Sequence, residues 1–183
     1  MTDTPPEYAE RLRENRAEKD RMFAERRGSP IPPEERDDFE GLDYFDPDPD
    51  YRVTATVSVH DDPDPVEMET SDGRTVRYLH VVTFEFDLRD DTHTLAGYRQ
   101  QESDDDVFVP FRDKTTGQQT YRGGRYMELT PDRDLSDGDE VVLDFNLAYT
   151  PFCAFSDAFS CPLPPEENWL EIVVPAGERD PDW

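Results

Sequence analysis

The residues able to do chemistry are concentrated between Phe108 and Glu178: Cys153 and Cys161, an Arg125-Tyr126 pair after Gly123-Gly124, Asp144 and Asn146 two residues apart, and Glu167-Asn168 after a Pro-rich run. In the segment RYMEL, Arg125 shares a face with Met127 and Leu129, so if those two are core the guanidinium points inward. A buried guanidinium needs a carboxylate, and Asp113, Asp144 and Glu167 are the candidates. Two readings stay open: an internal ion pair that fixes strand register, and an anion-binding arginine in a cleft. Cys153 and Cys161 are spaced too widely for a zinc knuckle, there is no second pair, and His60, His80 and His93 are remote in sequence. No metal site and no cofactor is expected; a metal would have to use those two thiols. They read as structural thiols, a local disulfide, a metal site or a nucleophile. Phe152, Phe155, Phe159 and Leu163 around them should desolvate a thiolate and raise its pKa, which favours slow-reacting, buried thiols. The sequence contains no phosphate-binding glycine loop, dinucleotide fingerprint, HExxH or nucleophile elbow. The catalytic residues, if any, are therefore unknown.

These residues need a scaffold, and its period is two. Tyr51, Val53, Ala55, Val57 and Val59 alternate with polar residues. A long strand follows, with Val76, Tyr78, His80, Val82, Phe84, Phe86 and Leu88 on one face. Thr92–Arg99, Val107–Phe111, Arg125–Leu129, Glu140–Tyr149 and Trp169–Val174 read as further strands, with a short one at Thr120–Tyr121. In Glu140–Tyr149 the second face carries Asp144 and Asn146, facing either a wet lumen or solvent. Strands without intervening helices predict an all-β fold, an antiparallel barrel-like or sandwich domain. Before it, Thr4-Pro5-Pro6-Glu7 opens an N-terminal α-helical arm running to about Arg27, stopped by Gly28. Its apolar face is sparse (Tyr8, Leu12, Met22, Phe23), which predicts an arm docked mainly by its ends. Phe39, Leu42, Tyr44 and Phe45 anchor it. The expected organisation is a helix and anchor over residues 1–50, a β domain over 51–178, and an acidic tail over 179–183.

Charge limits the function classes. The chain has 45 acidic and 19 basic residues among 183, for a formal net charge of -26. Such a surface repels itself at low salt and is screened at molar salt, so the composition reads as adaptation to a salt-rich cytoplasm. An acidic face for a cationic partner is the alternative reading. With no basic stripe, nucleic-acid binding is not expected. No stretch is long and apolar enough for a membrane helix, and MTDTPPEYAERLRENR lacks a signal-peptide core, so no membrane association and a cytoplasmic location are expected.

The blocks FVPFRDKTTGQQTYRGGRYMEL, LDFNLAYTPFCAF and CPLPPEENWLEIVVPAGE, with RENRAEKDRMF and SPIPPEERDDFEGLDYFDPD upstream, resemble the family catalogued as domain of unknown function number 1684. The resemblance runs from about Tyr8 to Glu178. Matching positions include Asp113, Tyr121, Gly124, Arg125, Tyr126, Asp144, Asn146, Tyr149, Cys153, Cys161, Glu167, Asn168, Gly177 and Glu178. Thr150 departs from the Asn usual there. The family carries no established activity, so the resemblance adds emphasis to the polar set and nothing about a reaction.

The expectation is a ligand-binding β domain whose pocket is bordered by Asp113, Tyr121, Arg125, Tyr126, Asp144, Asn146, Tyr149, Glu167 and Asn168, for a small polar or anionic ligand. The alternatives are a hydrolase or thiol/metal enzyme using Cys153, Cys161 and a carboxylate, and an interaction module working through the N-terminal helix.

Overall fold

Alternation builds the first strand as expected. In β1 (Arg52–Val59), Val53, Ala55 and Val57 are buried while Arg52, Thr54 and Thr56 are exposed. The computed structural model describes residues 6–25, 29–101, 104–131, 133–156 and 159–180. The further strands are β2 (Pro65–Glu69), β3 (Thr75–Leu88), β4 (Asp91–Arg99), β5 (Val107–Phe111), β6 (Arg125–Leu129) and β7 (Glu140–Asp144). They pair antiparallel in the order β6-β5-β4-β3-β1-β7, with β2 beside the first half of β3. The sheet curls into a half-barrel with one N-terminal helix, the barrel-like antiparallel fold the strand pattern predicts. Its hollow is filled by side chains, among them Val57, Phe84, Phe86, Leu95, Val109, Phe111 and Phe145.

Four details differ from the sequence reading. A bulge between His80 and Val82 breaks β3, so Tyr78 and Phe84 do not share a face. Val82, Phe84, Phe86 and Leu88 fill the hollow, while Tyr78 packs with Met68, Ala96 and Tyr98 in a second cluster. The strand expected over Glu140–Tyr149 ends at Asp144, whose carboxylate accepts the Asn146 N–H and caps a 3-10 turn over Phe145–Leu147. Trp169–Val174 is no strand: at its end the Val174 carbonyl turns toward Arg125 and the Val174 N–H toward Asp113. Thr120 makes a bridge to Thr116 inside a tight loop instead of starting a strand. In addition β2, which alternation leaves unassigned, is a short segment with only Met68 buried.

The helix, α1 (Pro6–Glu25), docks along its length, which corrects the expectation of docking by its ends. Tyr8, Leu12, Arg16, Lys19 and Phe23 recur at helical spacing. Leu12 and Phe23 are buried. Tyr8 donates to Asp144 (2.6 Å), Arg16 donates to the Phe45 carbonyl (2.8 Å) over the Tyr44 ring, and Lys19 pairs with Glu178. Two positions of the inward stripe are thus cationic, which is why counting apolar residues alone misses it. The carboxylate of Asp20 also accepts the Leu42 N–H at 2.9 Å. The expected cap at Thr4 and stop at Gly28 lie outside the described residues. No described helix is long and apolar enough to cross a membrane.

Candidate functional site

Gly124 sets up Arg125. It has φ +88°, and a Cβ there would lie 2.8 Å from the Phe111 carbonyl, so only glycine lets the chain enter β6 this close to β5. Arg125 then points into the fold, where 1% of it is exposed. Its guanidinium donates to the carbonyls of Val174 (2.9 Å), Ala176 and Glu178 (3.3 Å) and lies 3.5 Å from Asp113. Of the three carboxylates considered, Asp113 is the partner. Asp113 also accepts from the Thr115 hydroxyl (2.8 Å) and the Val174 N–H (2.7 Å). Burial lowers the arginine's pKa and the nearby Asp113 charge opposes that shift.

Asn146 and Asn168 act as pieces of strand. Along the β4–β5 ladder the pair after Tyr98–Phe108 would be Ala96–Pro110, and proline has no N–H to give. Asn168 fills the gap. Its oxygen accepts from the Ala96 N–H (2.7 Å), and its NH2 donates to the Ala96 (3.0 Å) and Pro110 (2.7 Å) carbonyls. The backbone at Asn168–Leu170 then pairs with Arg112 in place of β4. Asn146 does the same for Asp48, accepting its N–H (2.9 Å) and donating to its carbonyl (2.7 Å). Asn146 thus lies under the Asp48 backbone, and Asp144 holds Tyr8 while bordering a cavity with Val109, Met127 and Leu143.

Tyr126 and Tyr149 meet elsewhere, in an open groove of about 500 Å³ at the β5–β6 end of the sheet. Tyr78, Tyr98 and Phe108 complete its rings. Tyr78 stacks on Phe108 at 5.4 Å, while Phe108–Tyr126 (4.6 Å) and Tyr126–Tyr149 (5.8 Å) meet edge to face. Four carboxylates, Asp104, Asp105, Asp106 and Glu128, and one guanidinium, Arg99, border the rings. Tyr149 donates to Glu128 (2.7 Å), Tyr98 to Glu167, and Tyr126 to the Pro162 carbonyl. Burial, together with Glu128 at Tyr149 and Glu167 at Tyr98, raises these hydroxyls so that they stay protonated. Of this lining the sequence singles out Tyr126 and Tyr149 and not Tyr78, Tyr98, Phe108 or Glu128. The aromatic residues of β3, β4 and β5 were the available signal.

Tyr121 lies apart, its hydroxyl 3.5 Å from Cys153 Sγ. Both cysteines are free; Cys153 is half-buried and Cys161 buried. The aromatic shell does not raise the Cys153 thiol as expected: hydrogen bonds from Cys161, Tyr121 and Ser71 outweigh burial and bring it down to about 6, while Cys161 moves up. Phe152 and Phe159 are partly exposed and leave one side of Cys153 open to a cavity. Among the described residues, no three His, Cys, Asp or Glu side chains are grouped to hold a metal.

An antiparallel half-barrel strapped by an N-terminal helix and carrying an aromatic groove defines the class of protein. The chain belongs to the family described as "Protein of unknown function (DUF1684)", which it matches over residues 37–179. It is similar to an uncharacterized protein of Haloarcula marismortui solved by solution NMR, with 68% identity, 94% of each chain covered and a TM-score of 0.75. No curated protein matches the chain.

Proposed function

We propose that this is a small-ligand-binding domain of a salt-rich cytoplasm, that its site is the aromatic groove, and that its ligand carries an organic cation. The observation that carries the reading is the lining: five rings bordered by four carboxylates and one guanidinium. Ring faces attract cations, and bordering carboxylates add to that attraction. A cation already uses one of these rings, the Lys19 ammonium lying 5.0 Å from the centre of Tyr149. Arg125, the arginine expected to take an anion, has its guanidinium engaged inside the fold, and at the groove the single guanidinium of Arg99 is outnumbered by four carboxylates.

Calorimetric titration of tetramethylammonium in molar KCl tests the proposal. Saturable binding is expected, weakened about 2- to 30-fold by Tyr78→Leu and again by Glu128→Gln. Equal heats for wild type and both variants, with unchanged melting curves, would refute it.

The salt part of the proposal rests on the charge of -26. The melting temperature should rise steeply from low salt to molar KCl as repulsion is screened. A melting temperature independent of KCl would remove that part and leave the groove untouched.

A further inference from the structure

Cys153 and Cys161 are placed unequally. Cys153 sits on the 3-10 turn Phe152–Ala154 and lines a cavity of about 440 Å³ with Ser71, Asp72, Tyr121 and Arg122. Cys161 is buried behind it. Its backbone is tied to the β2–β3 turn, accepting the Ser71 N–H (2.9 Å) and donating to the Ser71 hydroxyl (3.2 Å). The Cys153 N–H donates to Cys161 Sγ at 3.3 Å, which brings the second sulfur up to the first cysteine. One sulfur lines a cavity, the other accepts from the first cysteine's backbone, and Tyr121 contacts the open one.

We propose that Cys153 and Cys161 form a redox dithiol site that takes a small hydroperoxide, with Cys153 attacking and Cys161 resolving. The Cys153 thiolate attacks the terminal oxygen; a sulfur–oxygen bond forms, the oxygen–oxygen bond breaks, and the departing hydroxide takes the proton Cys153 lost on ionising. Cys161 sulfur then attacks the Cys153 sulfenic acid. The sulfur–sulfur bond forms, the sulfur–oxygen bond breaks, and water leaves with the Cys161 proton. In total one dithiol and one hydrogen peroxide give one disulfide and two waters. The Tyr121 hydroxyl beside Cys153 Sγ and the cavity that this sulfur lines suit Cys153 to the attacking role, and burial withholds Cys161 until the sulfenic acid is beside it. Arg122 adds a positive charge at the rim of the cavity. The site shares no lining residue with the aromatic groove and stands or falls independently of it.

The test uses the whole chain in molar KCl with hydrogen peroxide, read by intact mass. The expected product has lost two hydrogens and regains them with a dithiol reductant. With dimedone present, Cys161→Ser should accumulate a trapped sulfenic acid and Cys153→Ser should not. Iodoacetamide on the unmodified protein at neutral pH should label Cys153 about tenfold or more faster than Cys161. This labelling needs no variant and so survives a folding defect in either one. An unchanged mass after peroxide, oxidation without disulfide in the wild type, or equal labelling of both thiols would overturn the proposal.

Discussion

Replacing Arg125 by methionine should lower stability by about 3–5 kcal/mol, the usual result when one member of a buried ion pair is removed. For a chain of this size that is a fall in melting temperature of about 6–20 °C. Methionine fills the space and supplies no donor. Asp113 keeps the Thr115 hydroxyl and the Val174 N–H but loses its countercharge. The Val174 and Ala176 carbonyls, which Arg125 holds, lose their side-chain donor. Adding Asp113→Asn to Arg125→Met should recover part of the loss, because the stranded charge is then gone. A methionine variant as stable as the wild type would show that the pair contributes nothing to holding residues 174–178 against β6.

The second large effect belongs to Asn168, which is fully buried. Asn168→Ala strands the Ala96 N–H and carbonyl and the Pro110 carbonyl, each at about 1–3 kcal/mol, so a loss of about 3 kcal/mol or more is expected. Asn168→Asp should be worse still. It keeps the acceptor for the Ala96 N–H but sets a carboxylate against two carbonyl oxygens. Thermal melts of both variants give the order directly. An aspartate variant more stable than the alanine variant would contradict the amide as a side-chain substitute for the missing strand bond.

Much of the frame is legible in residue order, for reasons that differ by element. β1 follows alternation because one of its faces is core and the other is wet. Arg125 is legible through Met127, which shares its face and is buried. The choice of Asp113 over Asp144 and Glu167 is not, because it depends on how the Thr115–Thr120 loop and residues 174–178 fold over β6. The Phe145–Tyr149 alternation looks like strand, but Asp144 and Asn146 divert the backbone into a 3-10 turn. On α1, Arg16 and Lys19 occupy positions where apolar residues would have announced the face. The groove is the hardest to foresee. Its rings come from strands distant in sequence, and the side on which Tyr78 emerges depends on the bulge between His80 and Val82.

A cation site in that groove can be read ring by ring in solution. Aromatic carbon–proton NMR spectra of the protein in molar KCl, recorded during titration with tetramethylammonium chloride, follow each ring separately. Saturable shifts of Tyr78, Phe108 and Tyr149 are expected, with small shifts elsewhere and none of these changes with acetate. Rings that stay still with tetramethylammonium, or ring shifts that appear with acetate instead, would contradict a cation site in the groove.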